Sequence, residues 1–182
     1  MSLQVGGYKI LNSVFPKKQK PDTSVTEDNY LEELHKFAEL PDVKIMGQYA
    51  QHRTSNTLAH VCHVASVSHK IEKAFFLHLD EEALLKGAML HDYYLYDFHQ
   101  HPVSAYRHGT GHAAIALSNA EKVFALNSKE RNIIYSHMWP LNLTHLPRCR
   151  EAWVVTVADK VCAIEEMFLD RLPFRQAKKA VY

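Results

Sequence analysis

An imbalance of charge is missing from this sequence: 21 Lys and Arg stand against 20 Asp and Glu, a formal net charge of +1. That leaves no electrostatic case for a nucleic-acid polymer or an anionic membrane as partner. Long apolar runs are missing too. None reaches the ~18 residues of a membrane span, and the N-terminus lacks a signal-peptide core. Cysteine is scarce: Cys62, Cys149 and Cys162 are scattered, odd in number and without CxxC spacing. They read as reduced, buried thiols of a cytoplasmic protein, not as a disulfide framework. Strand-like alternation is nowhere convincing, and no segment repeats. The 47% hydrophobic and 23% charged residues in 182 describe a soluble globular protein, and helical spacing without strand alternation makes the expectation an all-α fold. One domain over 24–182 would follow a loosely attached arm at 1–23, which carries Gly6-Gly7, Pro16, a basic KKQK run and Pro21.

Histidine is in excess, with 13 copies and a cluster between His52 and His145. Helical spacing locates the segments that carry it. Ser24 to Glu27 resembles a capping box for a helix that Pro41 stops, and 43 to about 49 forms another short one. Thr54-Ser55-Asn56 caps a long helix reaching about Leu79. Asp80, with Glu81 and Glu82, opens the helix that ends at His91-Asp92. Pro102, Gly109 and Gly111 make 93–111 an irregular, aromatic loop. Further helices are expected at about 112–126, 129–138 with Ser128 as cap, 149–169 and 174–181.

Residues three, four and seven apart share a helix face, and on that rule polar groups point at the core. His60 ends a stripe of Val64, Val67, Ile71 and Ala74. His91 shares a face with Leu84 and Ala88. His112 lines up with Ala116, Asn119 and Val123, and His137 with Ile133. Asp159 is embedded in Trp153–Val161, where an unpaired carboxylate costs several kcal/mol or more. Any one of these histidines alone reads as a core imidazole bonded to a carbonyl, and Asp159 alone as the partner of a buried Lys or Arg. Together, five helices aim metal-type ligands inward, and one shared metal centre satisfies all of them.

The order and the surrounding words carry a resemblance. The words are Gln51-His52…Thr57…His60…Val64-Ala65, Leu90-His91-Asp92-Tyr93-Tyr94-Leu95-Tyr96-Asp97, His108-Gly109-Thr110-Gly111-His112, His137-Met138-Trp139-Pro140 and Val157-Ala158-Asp159-Lys160. Their H…HD…D signature resembles the HD-domain metal-dependent phosphohydrolase superfamily over about residues 51–166, and small bacterial HD-domain proteins in particular. His112 and His137 extend it to the H…HD…H…H…D pattern of dinuclear members, which include cyclic-dinucleotide phosphodiesterases and mixed-valent diiron oxygenases. Tyr93-Tyr94-Leu95 stands where the cyclic-dinucleotide branch carries Gly-Tyr-Pro, which argues against that specialisation.

The resemblance implies an HD-type helical bundle with the metal site between the core helices. It assigns metal one to His60, His91, Asp92 and Asp159, and metal two to His112 and His137 with Asp92 bridging. An all nitrogen and oxygen donor set suits one or two divalent ions of Fe, Mn, Co, Ni or Zn. The expected function is hydrolysis of a phosphomonoester or phosphodiester of a nucleotide or other small molecule, through a metal-activated hydroxide. Asp92 and Lys160 are the catalytic candidates, and Lys160, Arg107 and Arg53 the substrate-binding ones. Tyr93, Tyr94, Tyr96, Phe98 and Tyr106 read first as local packing of the loop, with a cover over the site as the alternative. His52, His63 and His108 lie near the motifs without matching a ligand position. His35, His69, His78, His99, His101 and His145 read as solvent or loop residues. A diiron oxygenase and a non-enzymatic metal-stabilised binding domain stay open as alternatives, and a homo-oligomer is possible.

Overall fold

The computed structural model describes residues 23–51, 55–97 and 105–171, apart from the side chains of 23–28, 105–108 and 169–171. Within them lie seven α-helices and no strand: α1 (Thr23–Ala38), α2 (Pro41–Lys44), α3 (Thr57–Ala74), α4 (Glu81–Leu90), α5 (Ala105–Val123), α6 (Ser128–Ser136) and α7 (Arg150–Arg171). A 3-10 turn over Ile45–Gln48 continues α2. The fold is all-α, as helical spacing predicts. No described helix is long and apolar enough to cross a membrane. The arm expected at 1–23 lies outside the described residues except for Thr23, and the helix expected at 174–181 lies wholly outside them.

The helix ends follow local chemistry. The Asn56 side chain accepts from Ala59 N at 2.9 Å and starts α3. Asp80 does the same for α4 through Ala83 N at 3.1 Å. Pro41, which ends the α1 pattern, also occupies the first turn of α2, where a missing N–H costs no helical bond. At α6 the cap is Asn127, not Ser128. Its side chain takes Lys129 N and Glu130 N while Glu130 returns a bond to Asn127 N at 2.8 Å.

Two expectations about extent are corrected. α3 stops at Ala74, short of Leu79, because Phe76 and His78 turn to φ +50° and Leu77 N bonds back to Glu72 O. α5 starts at Ala105, inside the segment read as loop up to 111. Gly109 marks a close approach instead of a turn, since a Cβ there would stand 2.9 Å from Leu141, while Gly111 sits in open space.

α3 packs on α4 and α7, α6 packs on the same two helices, and α5 lies on α6. Val61, Val64, Leu84, Met89, Leu90, Ile133, Ile134 and Val155 fill the shared core. Each buried aliphatic side chain of this kind stabilises the fold by ~1.5–3 kcal/mol. α4 and α6 come close at Gly87, where a Cβ would meet Ile133 at 2.5 Å. At the N-terminal ends of α4, α6 and α7, Glu151 accepts from Asp80 N at 3.1 Å and from Lys129 Nζ at 2.8 Å. That end of the bundle is tied, and the functional side chains gather at the other.

Three side-chain readings change. His69 is buried, its ring stacked on Tyr30 at 3.8 Å; it lies four residues from buried Ala65 and so faces α1 instead of solvent. Val123, expected on the inward face of His112, is exposed at the end of α5, although Ala116 and Ala120 are buried. Of the three thiols only Cys162 is buried, while Cys62 and Cys149 are half-buried and all three are free.

Candidate metal centre

Five helices deliver six side chains to one buried place. His60 comes from the first turn of α3, His91 and Asp92 from the C-terminal end of α4, His112 from α5, His137 from the C-terminal end of α6, and Asp159 from α7. All six are buried. Helix ends suit the task, because the chain can turn there and keep its last side chains aimed inward.

The arrangement divides at Asp92. Its Oδ2 lies 3.9 Å from His60 Nε2 and 3.6 Å from His91 Nε2. Its Oδ1 lies 3.1 Å from His112 Nε2 and 3.5 Å from His137 Nε2. Asp159 Oδ1 closes the first set, 3.2 Å from His60 Nε2 and 3.8 Å from His91 Nε2. Two groups, His60–His91–Asp92 and Asp92–His112–His137, each bring ligand atoms close enough to hold one metal ion.

The outer ring nitrogens are fixed by acceptors. His91 Nδ1–H donates to Ala88 O at 2.7 Å, and His137 Nδ1–H to Ile134 O at 2.8 Å. His60 Nδ1–H donates to Glu166 Oε1 at 2.9 Å. Each bond leaves or presents Nε2 toward the centre, the tautomer a metal requires. His91 Nε2 and Asp92 Oδ1 are buried without a well-formed hydrogen bond. Buried polar atoms in that state need a partner, and a cation among nitrogen and oxygen donors supplies one to both. The residues present fit a divalent metal.

Electrostatics agree. Burial opposes charge on Asp92, yet the imidazoles of His91, His112 and His137 hold its carboxyl well below the usual range. Burial likewise opposes Asp159, and its bond to His60, with His91 and Lys160 nearby, holds it low. Burial would lower His60 too, but Asp159, Glu166 and the nearby Asp92 carry it up to about 10. His137 goes the other way, lowered to about 3 by burial and by neighbouring His91 and His112. Its Nε2 lies 2.8 Å from His112 Nε2. Since His137 keeps its proton on Nδ1, the proton between the two rings belongs to His112.

Two residues to which sequence reasoning gave no role hold this set in place, Gln51 among the words of the resemblance and Glu166 outside them. Gln51 Nε2 donates to Asp92 Oδ2 at 2.9 Å, and its Oε1 accepts from the Tyr94 and Thr57 hydroxyls. Those acceptances fix which end of the amide faces Asp92. Glu166 bonds His60 with one oxygen and Ser55 Oγ with the other, at 2.9 Å. Glu166 stands seven residues after Asp159 on one face of α7, a signal that was available. Gln51 sits in the loop before α3, where spacing carries no signal.

Other candidates are placed differently. Lys160 Nζ donates to His137 O at 2.6 Å and to Asp159 Oδ2 at 3.0 Å, at the edge of a cavity of about 370 Å³ that also meets Gln51, Met138 and Ile164. Arg53, His52, His99, His101 and Phe98 lie outside the described residues, as do the side chains of Tyr106, Arg107 and His108. Tyr93 and Tyr94 pack locally, as expected, and do not cover the site. Both are buried, Tyr93 OH donating to Asp42 O and Tyr94 OH to Gln51, so neither ring is open to a ligand. His63 stands beside the centre, 3.4 Å from Glu165.

No curated protein and no solved structure gives a significant match to this chain. The model of the HD domain family does, over residues 57–164. That span exceeds half of the chain, begins with α3, reaches well into α7 and includes all six buried side chains of the centre. The chain belongs to the HD domain family.

Proposed function

We propose that the protein is a metal-dependent phosphohydrolase acting on a phosphomonoester or phosphodiester of a nucleotide or other small molecule. The observation that carries this reading is the division of Asp92, whose two oxygens face two separate pairs of histidines. On this reading His60, His91, Asp92 and Asp159 hold one ion, and His112 and His137 hold a second with Asp92 shared. Divalent ions there supply Lewis acidity toward phosphoryl oxygens and bring the pKa of water close to neutrality. The chain's own residues do the remaining work. Asp92 and Asp159 return only two negative charges to the centre, which favours an anionic ester. Gln51 and Glu166 keep Asp92 and His60 from rotating away. Lys160, at the cavity edge beside Asp159, is the residue we assign to the phosphate group.

The test is a screen of phosphatase and phosphodiesterase substrates with metal-stripped protein reloaded in turn with Fe, Mn, Co, Ni and Zn. Hydrolysis that requires metal and is lost in Asp92→Asn is the expected result. No turnover of any ester with any of these ions overturns the reading. One observation favours a second reading, a diiron oxygenase built on the same donors. Among the described residues Lys160 is the one lysine or arginine lining the cavity, and its amine is already held by His137 O and Asp159. An iron-loaded form with a mixed-valence absorption band and no hydrolysis would select that alternative.

A further inference from the structure

α7 is apolar on two opposite faces, and among the described residues only one of them has a partner in the bundle. Val155, Ala158 and Cys162 are buried beneath the Asp159 side of the helix. On the other side Trp153, Val157, Val161, Ile164, Met167 and Phe168 are exposed, between 39% and 65% each. At 3.6 residues per turn these six fall within a ~120° arc and run ~22 Å along the axis. A helix that is apolar all round belongs inside a structure, not at its edge.

We infer that this face is a dimer interface, α7 of one copy packing on α7 of a second copy about a two-fold axis. Three observations favour a second copy over another occupant. The first is area. The six side chains expose roughly 600 Å² of largely apolar surface, near the ~800 Å² that each partner buries in an interface of standard size. Leu141 and Leu143, exposed on the turn joined to α7 by the Trp139–Trp153 edge contact, enlarge it.

The second observation is self-compatibility. A two-fold interface sets each residue against its own surroundings, so a face with one sign of charge repels itself. Between Trp153 and Phe168 the only charge in the arc is Lys160, and its amine is turned aside to His137 O and Asp159. The third is spacing. Val157, Val161, Ile164 and Phe168 alternate steps of four and three, the seam along which two helices pack side by side. Because Lys160 and Ile164 also line the cavity at the metal centre, the second copy would stand at its mouth and narrow access to it. This goes beyond the proposed reaction and does not depend on it.

Sedimentation equilibrium of the full chain, from low micromolar to several hundred micromolar, tests the proposal. A dimer is expected, and Val157→Glu and Val161→Glu are each expected to give monomers of unchanged helicity and metal content. Should either substitution impair folding, Val161→Cys, at the middle of the face, oxidised with copper phenanthroline gives a second reading. Crosslinked dimer is expected above the wild-type background, and none from Glu82→Cys on a distant helix. A wild-type monomer across the range overturns the proposal; footprinting of that monomer then separates a face covered by residues 172–182 from a bare one. A dimer that survives both glutamate substitutions, or no crosslink at position 161, overturns it equally.

Discussion

At the scale of single residues, the centre is governed by where protons sit before any metal arrives. His60 lies between Asp159 and Glu166 and keeps its proton up to about 10. A metal ligand must offer that nitrogen bare, so the proton competes with the ion. Below about 10 each step down in pH makes the competition harder, so affinity should rise about tenfold per unit of rising pH across the neutral range from this group alone. His137, lowered to about 3, adds nothing there. Calorimetry at pH 8 in buffers of different ionisation enthalpy should register about one proton released per first ion. A His60 that titrates by NMR near 6.5 in the metal-free protein would sink this account. Glu166 then carries its own expectation. Glu166→Ala should weaken the first ion about 10–100-fold, as loss of a partner behind a ligand does. Glu166→Gln keeps an acceptor for His60 Nδ1–H and should recover part of the loss. Equal affinity in all three proteins would reduce Glu166 to a structural contact.

At the scale of elements, bundle and site depend on the same close approaches. Gly87 lets α4 and α6 meet, and with that contact His91 and His137 come to 4.9 Å between ring centres. Gly87→Ala would press a methyl group into Ile133 along its whole branch, including Cβ at 2.9 Å, where rotation offers no escape. The expected cost is ~1–3 kcal/mol by urea denaturation, with weaker metal binding in the same variant. A variant as stable as wild type would mean that the two helices separate freely. These packings also explain what the sequence made legible. Helix α4 could be read because periodicity and its cap Asp80 agree, and α1 and α7 from periodicity alone. The start of α5 could not, because Gly109 and Gly111 read as turn residues when the chain uses Gly109 for space beside Leu141. His60, His91, His112, His137 and Asp159 stood out as polar groups on apolar faces. Gln51 did not, since its place depends on a loop, and His69 did not, since its partner Tyr30 comes from another helix.

For the molecule as a whole, the number of ions is the property that joins the helices to the chemistry. The first set is closed: His60, His91, Asp92 and Asp159 supply four donors and two negative charges to one divalent ion. It draws on α3, α4 and α7, with α3 packed closely on both of the others. The second set has His112, His137 and a share of Asp92, and it draws on α5 and α6. His112 also presents a proton toward the centre in the metal-free state and must move it to Nδ1 before binding. Both facts make the second ion the weaker and the first to leave on chelation. His112→Ala and His137→Ala should therefore each retain about one ion where the intact protein under saturating metal holds two, with hydrolysis reduced by ~100-fold or more if both ions act in the reaction. Asp92→Ala should lose both ions, because neither set keeps its shared oxygen. Metal analysis of the three variants decides the matter. Two ions retained in His112→Ala and His137→Ala, with activity intact, would return both residues to the packing of the core and leave a centre of one metal.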